Sequence, residues 1–115
     1  MTSDAVFEVS DSEQPGVLVL NARGEIDVAT SPELHGLLGE VIGEAPQLVI
    51  VDLTEVTFID STGLGVLVGA VRDVRAGGGD VRLVVTQPQI IKLLELTGLD
   101  EVFSVVSNTR DAVSS

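Results

Sequence analysis

The chain has 115 residues, the length of one domain, and 44% of them are hydrophobic, which suffices for a core without metal ions or disulfide bonds. Its net charge of -12 disfavours nucleic acid and anionic membrane surfaces as partners and allows a basic protein partner. The absence of cysteine excludes disulfide bonds, thiol catalysis and cysteine-based zinc sites.

Neither a secretory leader nor a membrane span is predicted. The first residues, MTSDAVFEVSDSEQPG, contain no basic segment and no long apolar segment. The longest apolar runs, VLVL, LVIV and GLGVLVGAV, are too short to cross a bilayer. The expected protein is soluble and cytoplasmic.

The chain begins with a predicted antiparallel hairpin followed by a helix. The apolar or alternating runs Ala5–Val9 and Val17–Asn21 are typical of strands, and the polar turn between them contains proline and glycine. Thr30 or Ser31 can cap the helix. Its apolar face repeats at helical spacing over Leu34–Ile42.

Strands and helices then alternate along the chain. The nearly unbroken apolar run Gln47–Leu53 is typical of a strand buried on both faces of a parallel sheet. The segment that follows, TEVTFID, is predicted to be a connection. A helix is predicted over Thr62–Ala76 and a strand over Val81–Val85. The next helix is expected to begin near Pro88 and to end before Gly98.

The chain is expected to end with a short strand over Phe103–Val106 and a frayed helix over Asn108–Ser115. Strand-helix-strand units with short connections predict an α/β domain. The expected architecture is a single domain with a mixed, mostly parallel β-sheet of about four to five strands, packed by about four helices.

An acid and two hydroxyls stand at the start of the predicted central helix. The segment VTFIDSTGLGVLVGAV places Asp60, Ser61 and Thr62 together between a strand-like run and an apolar helical pattern. Serine and threonine oxygens can accept hydrogen bonds from the free N–H groups of a helix start, and Gly63 permits close backbone approach. Helix capping alone would explain one of these hydroxyls, and Thr62 is expected to cap or fill the first turn of the helix.

Three segments of the chain, in this order, resemble the STAS family, and within it the bacterial anti-sigma factor antagonists. They are GEIDVATSPEL, DLTEVTFIDSTGLGVLV and LLELTGLDEVF, and together they extend across almost the whole chain. The middle segment is the most specific of the three. The resemblance implies that residues 1–115 form one STAS domain.

The resemblance also implies a regulatory phosphorylation. In the family, the first serine of the D-S-[ST]-G motif is the phosphorylation site, which is Ser61 here, and Thr62 is the alternative acceptor. The implied partners are an anti-sigma factor with serine kinase activity, which phosphorylates Ser61 from ATP, and a serine phosphatase, which removes the phosphate. The unphosphorylated form binds the anti-sigma factor and frees a sigma factor for transcription. Partner switching of this kind requires no cofactor.

We expect the partner to bind the surface around this corner, comprising Glu25, Asp27, Asp60, Ser61, Thr62, Gly63 and Leu64. Phosphate adds about -1.5 to -2 charges, which a helix N-terminus tolerates and a packed partner surface does not. Asp27 is expected to orient the corner, to contact a basic partner residue, or to be a solvated loop acid. Glu25 is expected to be a solvated loop residue, with contact to the partner as the second alternative.

Other residues carry weaker indications. Gly63, Gly65 and Gly69 resemble a phosphate-binding loop only loosely, and tight packing of the helix explains them better. His35, the only histidine, is expected to be a helix surface residue, because one histidine cannot build a zinc site.

Three other functions are weighed against the antagonist. A STAS scaffold, or a subunit of a stressosome-like or lipid-transport complex, would form a stable assembly that does not respond to a kinase. A serine hydrolase would need a GxSxG elbow, whereas Ser61 lies in DSTG, and a phosphorelay receiver would need a lysine after a late strand. The only lysine, Lys92, falls inside a helical pattern. We therefore expect a binding protein and not an enzyme.

Overall fold

The computed structural model describes residues 5–114, which form a five-stranded sheet with helices on both faces. The strands are β1 (Ala5–Asp11), β2 (Val17–Ile26), β3 (Leu48–Ile59), β4 (Asp80–Val84) and β5 (Ser104–Val106). The helices are α1 (Ser31–Gly43), α2 (Ser61–Ala76), α3 (Pro88–Thr97) and α4 (Thr109–Ser114), with a short 3-10 turn at Leu99–Glu101. The first four residues and Ser115, which the predicted single domain and last helix included, lie outside the described residues.

The strands are arranged in chain order, β1-β2-β3-β4-β5. β1 and β2 pair antiparallel, and the other neighbours pair parallel because a helix connects each of them. The predicted fold class, a mixed and mostly parallel sheet with about four helices, is confirmed.

The main core lies between the sheet and the helices α1, α2 and α3. Val49 and Val51 of β3 face these helices and are fully buried. Leu48 and Ile50, which point to the opposite face, pack with Ala112 of α4 in a second, smaller cluster. β3 is therefore buried on both faces along its first half, as its apolar sequence predicts.

The strands β2 and β3 are longer than predicted. The segment TEVTFID, predicted as a connection, mostly continues β3, and its residues pair with the end of β2 after two shifts in register. Beyond Asp52, β3 no longer pairs with β4. The side-chain amide of Gln87 covers this part of β3 and donates to the carbonyl oxygens of Leu53, Thr54 and Val56. The polar residues that suggested a connection belong to a strand with one exposed face.

The helix boundaries agree with the sequence. α2 covers the predicted range with one added residue, and α3 begins at Pro88. Gly98 follows α3 with a φ of 75°, the left-handed conformation that glycine adopts most easily. None of the helices formed by residues 5–114 is long and apolar enough to span a bilayer.

Candidate functional site at the start of α2

The corner lies at the carboxyl end of the sheet, where β2 and β3 end side by side. The last residues of the two strands, Ile26 and Ile59, are paired, and the N–H of Asp60 donates to the carbonyl of Ile26 at 3.1 Å. Asp27 follows Ile26 directly. The structure therefore brings the two motifs that the sequence analysis singled out, GEIDVATSPEL and FIDSTG, to one place.

Asp60 caps helix α2. Its backbone is extended, and its carboxylate accepts the N–H of Thr62 at 2.9 Å and the N–H of Gly63 at 3.2 Å. The expectation that a serine or threonine hydroxyl supplies the cap is wrong, because Ser61 is already the first helical residue. Asp60, the residue before Ser61, occupies the N-cap position, from which a side chain can accept the N–H groups of the first turn.

The same carboxylate also accepts a hydrogen bond from the Thr62 hydroxyl. This hydroxyl contributes most to lowering the pKa of Asp60, and the N–H groups of Gly63 and Thr62 lower the pKa further. Asp60 is therefore ionised at neutral pH. The Asp60 carboxylate thus accepts three hydrogen bonds from Thr62 and Gly63 and none from the Ser61 hydroxyl.

The two neighbouring hydroxyls differ in their environment. The Thr62 hydroxyl is exposed, but its proton is directed to Asp60. Ser61 is also exposed, and its hydroxyl makes no hydrogen bond to any residue of the described range 5–114. Ser61 is thus the hydroxyl that is free to react or to contact another molecule.

Gly63 and Leu64 lie beneath this surface. Leu64 is 6% exposed and belongs to the core. A Cβ added at Gly63 would lie 2.6 Å from Cγ2 of Ile26 and 2.9 Å from Cγ1 of Ile59, closer than side chains normally approach. These two residues seat α2 against the sheet and so fix the position of Ser61.

The loop between β2 and α1 is held by Asp27 and Thr30. The Asp27 carboxylate accepts the N–H groups of Ala29 at 3.0 Å and of Thr30 at 3.1 Å. The buried Thr30 hydroxyl donates to the carbonyl of Glu25 at 2.8 Å and accepts the N–H of Asp27 at 2.9 Å. Asp27 is half-buried and shapes this loop, while the Glu25 side chain is exposed. Thr30 precedes α1 as predicted, but its hydroxyl bonds to the loop and not to the helix.

Two exposed apolar side chains at this end of the sheet were missed by the sequence analysis. Val28, in the loop, is 73% exposed, and Phe58, near the end of β3, is 46% exposed. Phe58 pairs across the strands with Glu25 and lies three residues before Ser61. The exposure of Val28 could have been suspected from the sequence, because this valine lies in a loop and outside any predicted helix or strand.

A groove of about 370 Å³ runs between α1 and α2 from Thr62, and His35 lies on its exposed wall. The prediction that all three glycines of α2 pack tightly is right for Gly63 and wrong for the other two. A Cβ at Gly65 would meet nothing within 4 Å, and one at Gly69 would meet only Arg72 at 3.9 Å. Within residues 5–114, no cluster of histidine and acidic residues could hold a metal ion.

Comparison with known proteins places the chain in a family. Residues 8–113 match the family model of the STAS domain. The chain is 34% identical to the anti-sigma-B factor antagonist of Bacillus subtilis, over 82% of this chain and 85% of that protein. It is 31% identical to the anti-sigma-F factor antagonist RsfB of Mycobacterium tuberculosis, over 99% of this chain and 93% of RsfB.

A solved structure agrees with these relatives. The crystal structure of an anti-sigma factor antagonist from Mycobacterium paratuberculosis superposes with a TM-score of 0.87 at 31% identity, covering 96% of this chain and 92% of that one. The chain belongs to the STAS domain family, in its group of anti-sigma factor antagonists.

Proposed function

We propose that this chain is a cytoplasmic anti-sigma factor antagonist that is switched off by phosphorylation of Ser61. In the unphosphorylated state it binds an anti-sigma factor that is also a serine kinase, and a sigma factor is released. A serine phosphatase restores this state. The observation that carries the choice of Ser61 is the difference between the two hydroxyls, since Ser61 is exposed and free whereas Thr62 is bonded to Asp60.

The phosphorylation is a transfer from ATP to the Ser61 oxygen. The bond between Oγ and the γ-phosphorus forms, the bond from that phosphorus to the bridging oxygen of ADP breaks, and ADP leaves. The hydroxyl proton goes to a base of the kinase, because the Asp60 carboxylate is bonded to Thr62 and Gly63 and not to the Ser61 hydroxyl. Thr62 as acceptor would first have to give up its hydrogen bond to Asp60.

A phosphate on Ser61 would lie at a helix N-terminus whose free N–H groups already donate to Asp60. The N–H groups of Thr62 and Gly63 are bonded to the Asp60 carboxylate, so they are not available to a phosphate on Ser61. The phosphate therefore stays on the surface. In the kinase complex it would face the phosphates of the bound nucleotide, and its bulk and desolvation would oppose close packing there.

The test is phosphorylation of the purified chain by the anti-sigma kinase of the same genome with ATP, followed by intact-mass and site-mapping spectrometry. We expect one phosphate on Ser61 in the wild type and none in Ser61→Ala. The matched control Thr62→Val removes only the neighbouring hydroxyl and should still be phosphorylated on Ser61.

Two outcomes would contradict the proposal. Phosphate on Thr62 in the wild type, or undiminished phosphorylation of Ser61→Ala, would move the switch to another residue. A chain that no candidate kinase phosphorylates, but that copurifies in a stable complex, would support the scaffold or transport-subunit alternative instead.

A further inference from the structure

We infer that Val28 and Phe58 are the central apolar contacts of the partner-binding surface, and that the bound partner presents an apolar patch surrounded by lysine or arginine. This inference rests on the proposed function, because it describes the surface with which the antagonist holds its anti-sigma factor. It adds two residues that lie within the segments GEIDVATSPEL and DLTEVTFIDSTGLGVLV but were not among the predicted partner contacts.

Both side chains are exposed on rigid parts of the fold. Val28 is 73% exposed, although the loop around it is fixed by the bonds that the Asp27 carboxylate accepts from the two residues after Val28. Phe58 is 46% exposed and belongs to β3, where it is paired with β2. Since hydrogen bonds already hold the backbone at both positions, their burial in an interface requires no ordering of the main chain.

Both residues also lie at the end of the sheet from which the proposed phosphorylation site projects. Phe58 is three residues before Ser61, at the end of the same strand that leads into α2. Val28 is two residues after Ile26, whose carbonyl accepts the N–H of Asp60. Both residues thus belong to the carboxyl end of the paired strands β2 and β3, where α2 begins, and a partner that covers this end of the sheet would meet both of them.

The charged residues next to Val28 and Phe58 along the chain are acidic, and the nearest basic residue on β2, Arg23, lies 4.0 Å from Glu8 in an ion pair. Residues 24–71 contain eight Asp and Glu and no Lys or Arg. Among these acids, Glu25 pairs with Phe58 across the strands, Asp27 precedes Val28, and Asp60 precedes Ser61. An apolar centre with a charged rim is the usual anatomy of a protein interface, and this rim selects a basic partner.

The same charges argue against a second copy of this chain as the occupant. A symmetric dimer through this face would bring the carboxylates of Glu25, Asp27 and Asp60 against their own equivalents. Like charges held together in an interface are strongly unfavourable. A different protein that presents an apolar patch surrounded by basic residues would pack against Val28 and Phe58 and pair with the carboxylates around them.

The experiment measures the dissociation constant of the unphosphorylated full chain for the anti-sigma factor of the same genome. The variants are Val28→Ser, Phe58→Ser and the matched control Leu96→Ser, which removes a side chain that is 75% exposed on α3. We expect Val28→Ser and Phe58→Ser each to weaken binding about tenfold or more, and Leu96→Ser to leave it within about twofold. Urea unfolding of each variant verifies that it is folded. If Phe58→Ser is unstable, the binding constant of Val28→Ser, a substitution in an exposed loop, still tests the inference.

A second pair of variants tests the basic rim. Glu25→Lys and Glu95→Lys change the net charge equally, but only Glu25 lies at this surface. We expect Glu25→Lys to slow association and to reduce its dependence on salt, and Glu95→Lys to change both much less. Equal effects of the two variants would overturn the local charge argument.

The failure of this inference differs from the failure of the proposed function. If the wild type binds the anti-sigma factor and is phosphorylated on Ser61, while the Val28 and Phe58 variants bind as tightly as Leu96→Ser, only the inference is overturned. If the wild type binds no anti-sigma factor, the proposed function fails, and the inference fails with it.

Discussion

Two glycines of α2 should respond in opposite directions to the same substitution. Gly65→Ala places a methyl group where nothing lies within 4 Å, so only the higher helix propensity of alanine acts. We expect the free energy of unfolding to rise by about 0.5–1 kcal/mol. Gly63→Ala places the methyl carbon 2.6 Å from Cγ2 of Ile26 and 2.9 Å from Cγ1 of Ile59.

In Gly63→Ala, the steric clash of the new methyl group with Ile26 and Ile59 outweighs the gain in helix propensity. The two isoleucines are β-branched, buried and fixed by strand pairing, so they cannot rotate away cheaply. Overpacking of this kind costs roughly 1–3 kcal/mol, and the gain in helix propensity is smaller in the first turn than in the helix interior. Gly63→Ala should therefore be less stable than the wild type, and less stable than Gly65→Ala by about 2 kcal/mol.

Urea unfolding followed by circular dichroism measures this difference. The midpoint of Gly65→Ala should lie above that of the wild type, and the midpoint of Gly63→Ala below it, with similar slopes in all three. In thermal unfolding the two variants should differ by about 8 °C, since about 1 kcal/mol corresponds to roughly 4 °C at this size. A Gly63→Ala variant as stable as Gly65→Ala would refute the close seating of α2 on Ile26 and Ile59.

Three further variants test other parts of the site. Because the pKa of Asp60 is lowered in the folded state, its ionised carboxylate stabilises the fold above the ordinary aspartate pKa, and this stabilisation is lost as the pH falls. Asp60→Asn keeps a capping side chain but cannot ionise. Its unfolding free energy, measured as a function of pH, should therefore lack the part of the acid dependence that Asp60 contributes. Gln87→Ala leaves carbonyls of β3 without a donor, so its unfolding free energy should fall by about 1–3 kcal/mol in urea. Thr30→Val removes the three hydrogen bonds of a buried hydroxyl, so stability should fall by a similar amount, about 1–3 kcal/mol, and amide exchange at Asp27 should become faster. Exchange at the wild-type rate would contradict this.

The order of the elements could be predicted from the sequence because hydrophobic spacing is a local property. The apolar residues of α1 and α2 repeat at the spacing of a helix, which identifies both helices. Pro88 and Gly98 mark the two ends of α3, because proline suits the first turn of a helix and glycine suits the left-handed residue after its end. The end of β3 could not be predicted in this way. Its polar residues face solvent, and the amide that covers its free carbonyls belongs to Gln87, far along the chain.

The place of the DSTG corner between a strand and a helix could be predicted from the sequence, but its hydrogen bonds could not. The DSTG corner offers three side chains that can cap a helix, and only the backbone conformation shows that Asp60 does so. The spacing of Gly65 and Gly69 does not reveal whether a neighbouring helix approaches them. The exposure of Val28 and Phe58 depends on where the strands end, which is a property of the tertiary structure.

The central claim is that a phosphate on Ser61 prevents partner binding while the fold remains intact. The most direct measurement compares the dissociation constants of the fully phosphorylated and the unphosphorylated chain for the same anti-sigma factor, with the melting temperature of each form. We predict a loss of affinity of about 30-fold or more, because an unpaired charge in a packed interface costs at least about 2 kcal/mol. The melting temperatures should be nearly equal, since Ser61 is exposed. Equal affinity of the two forms, or unfolding of the phosphorylated form, would contradict the claim.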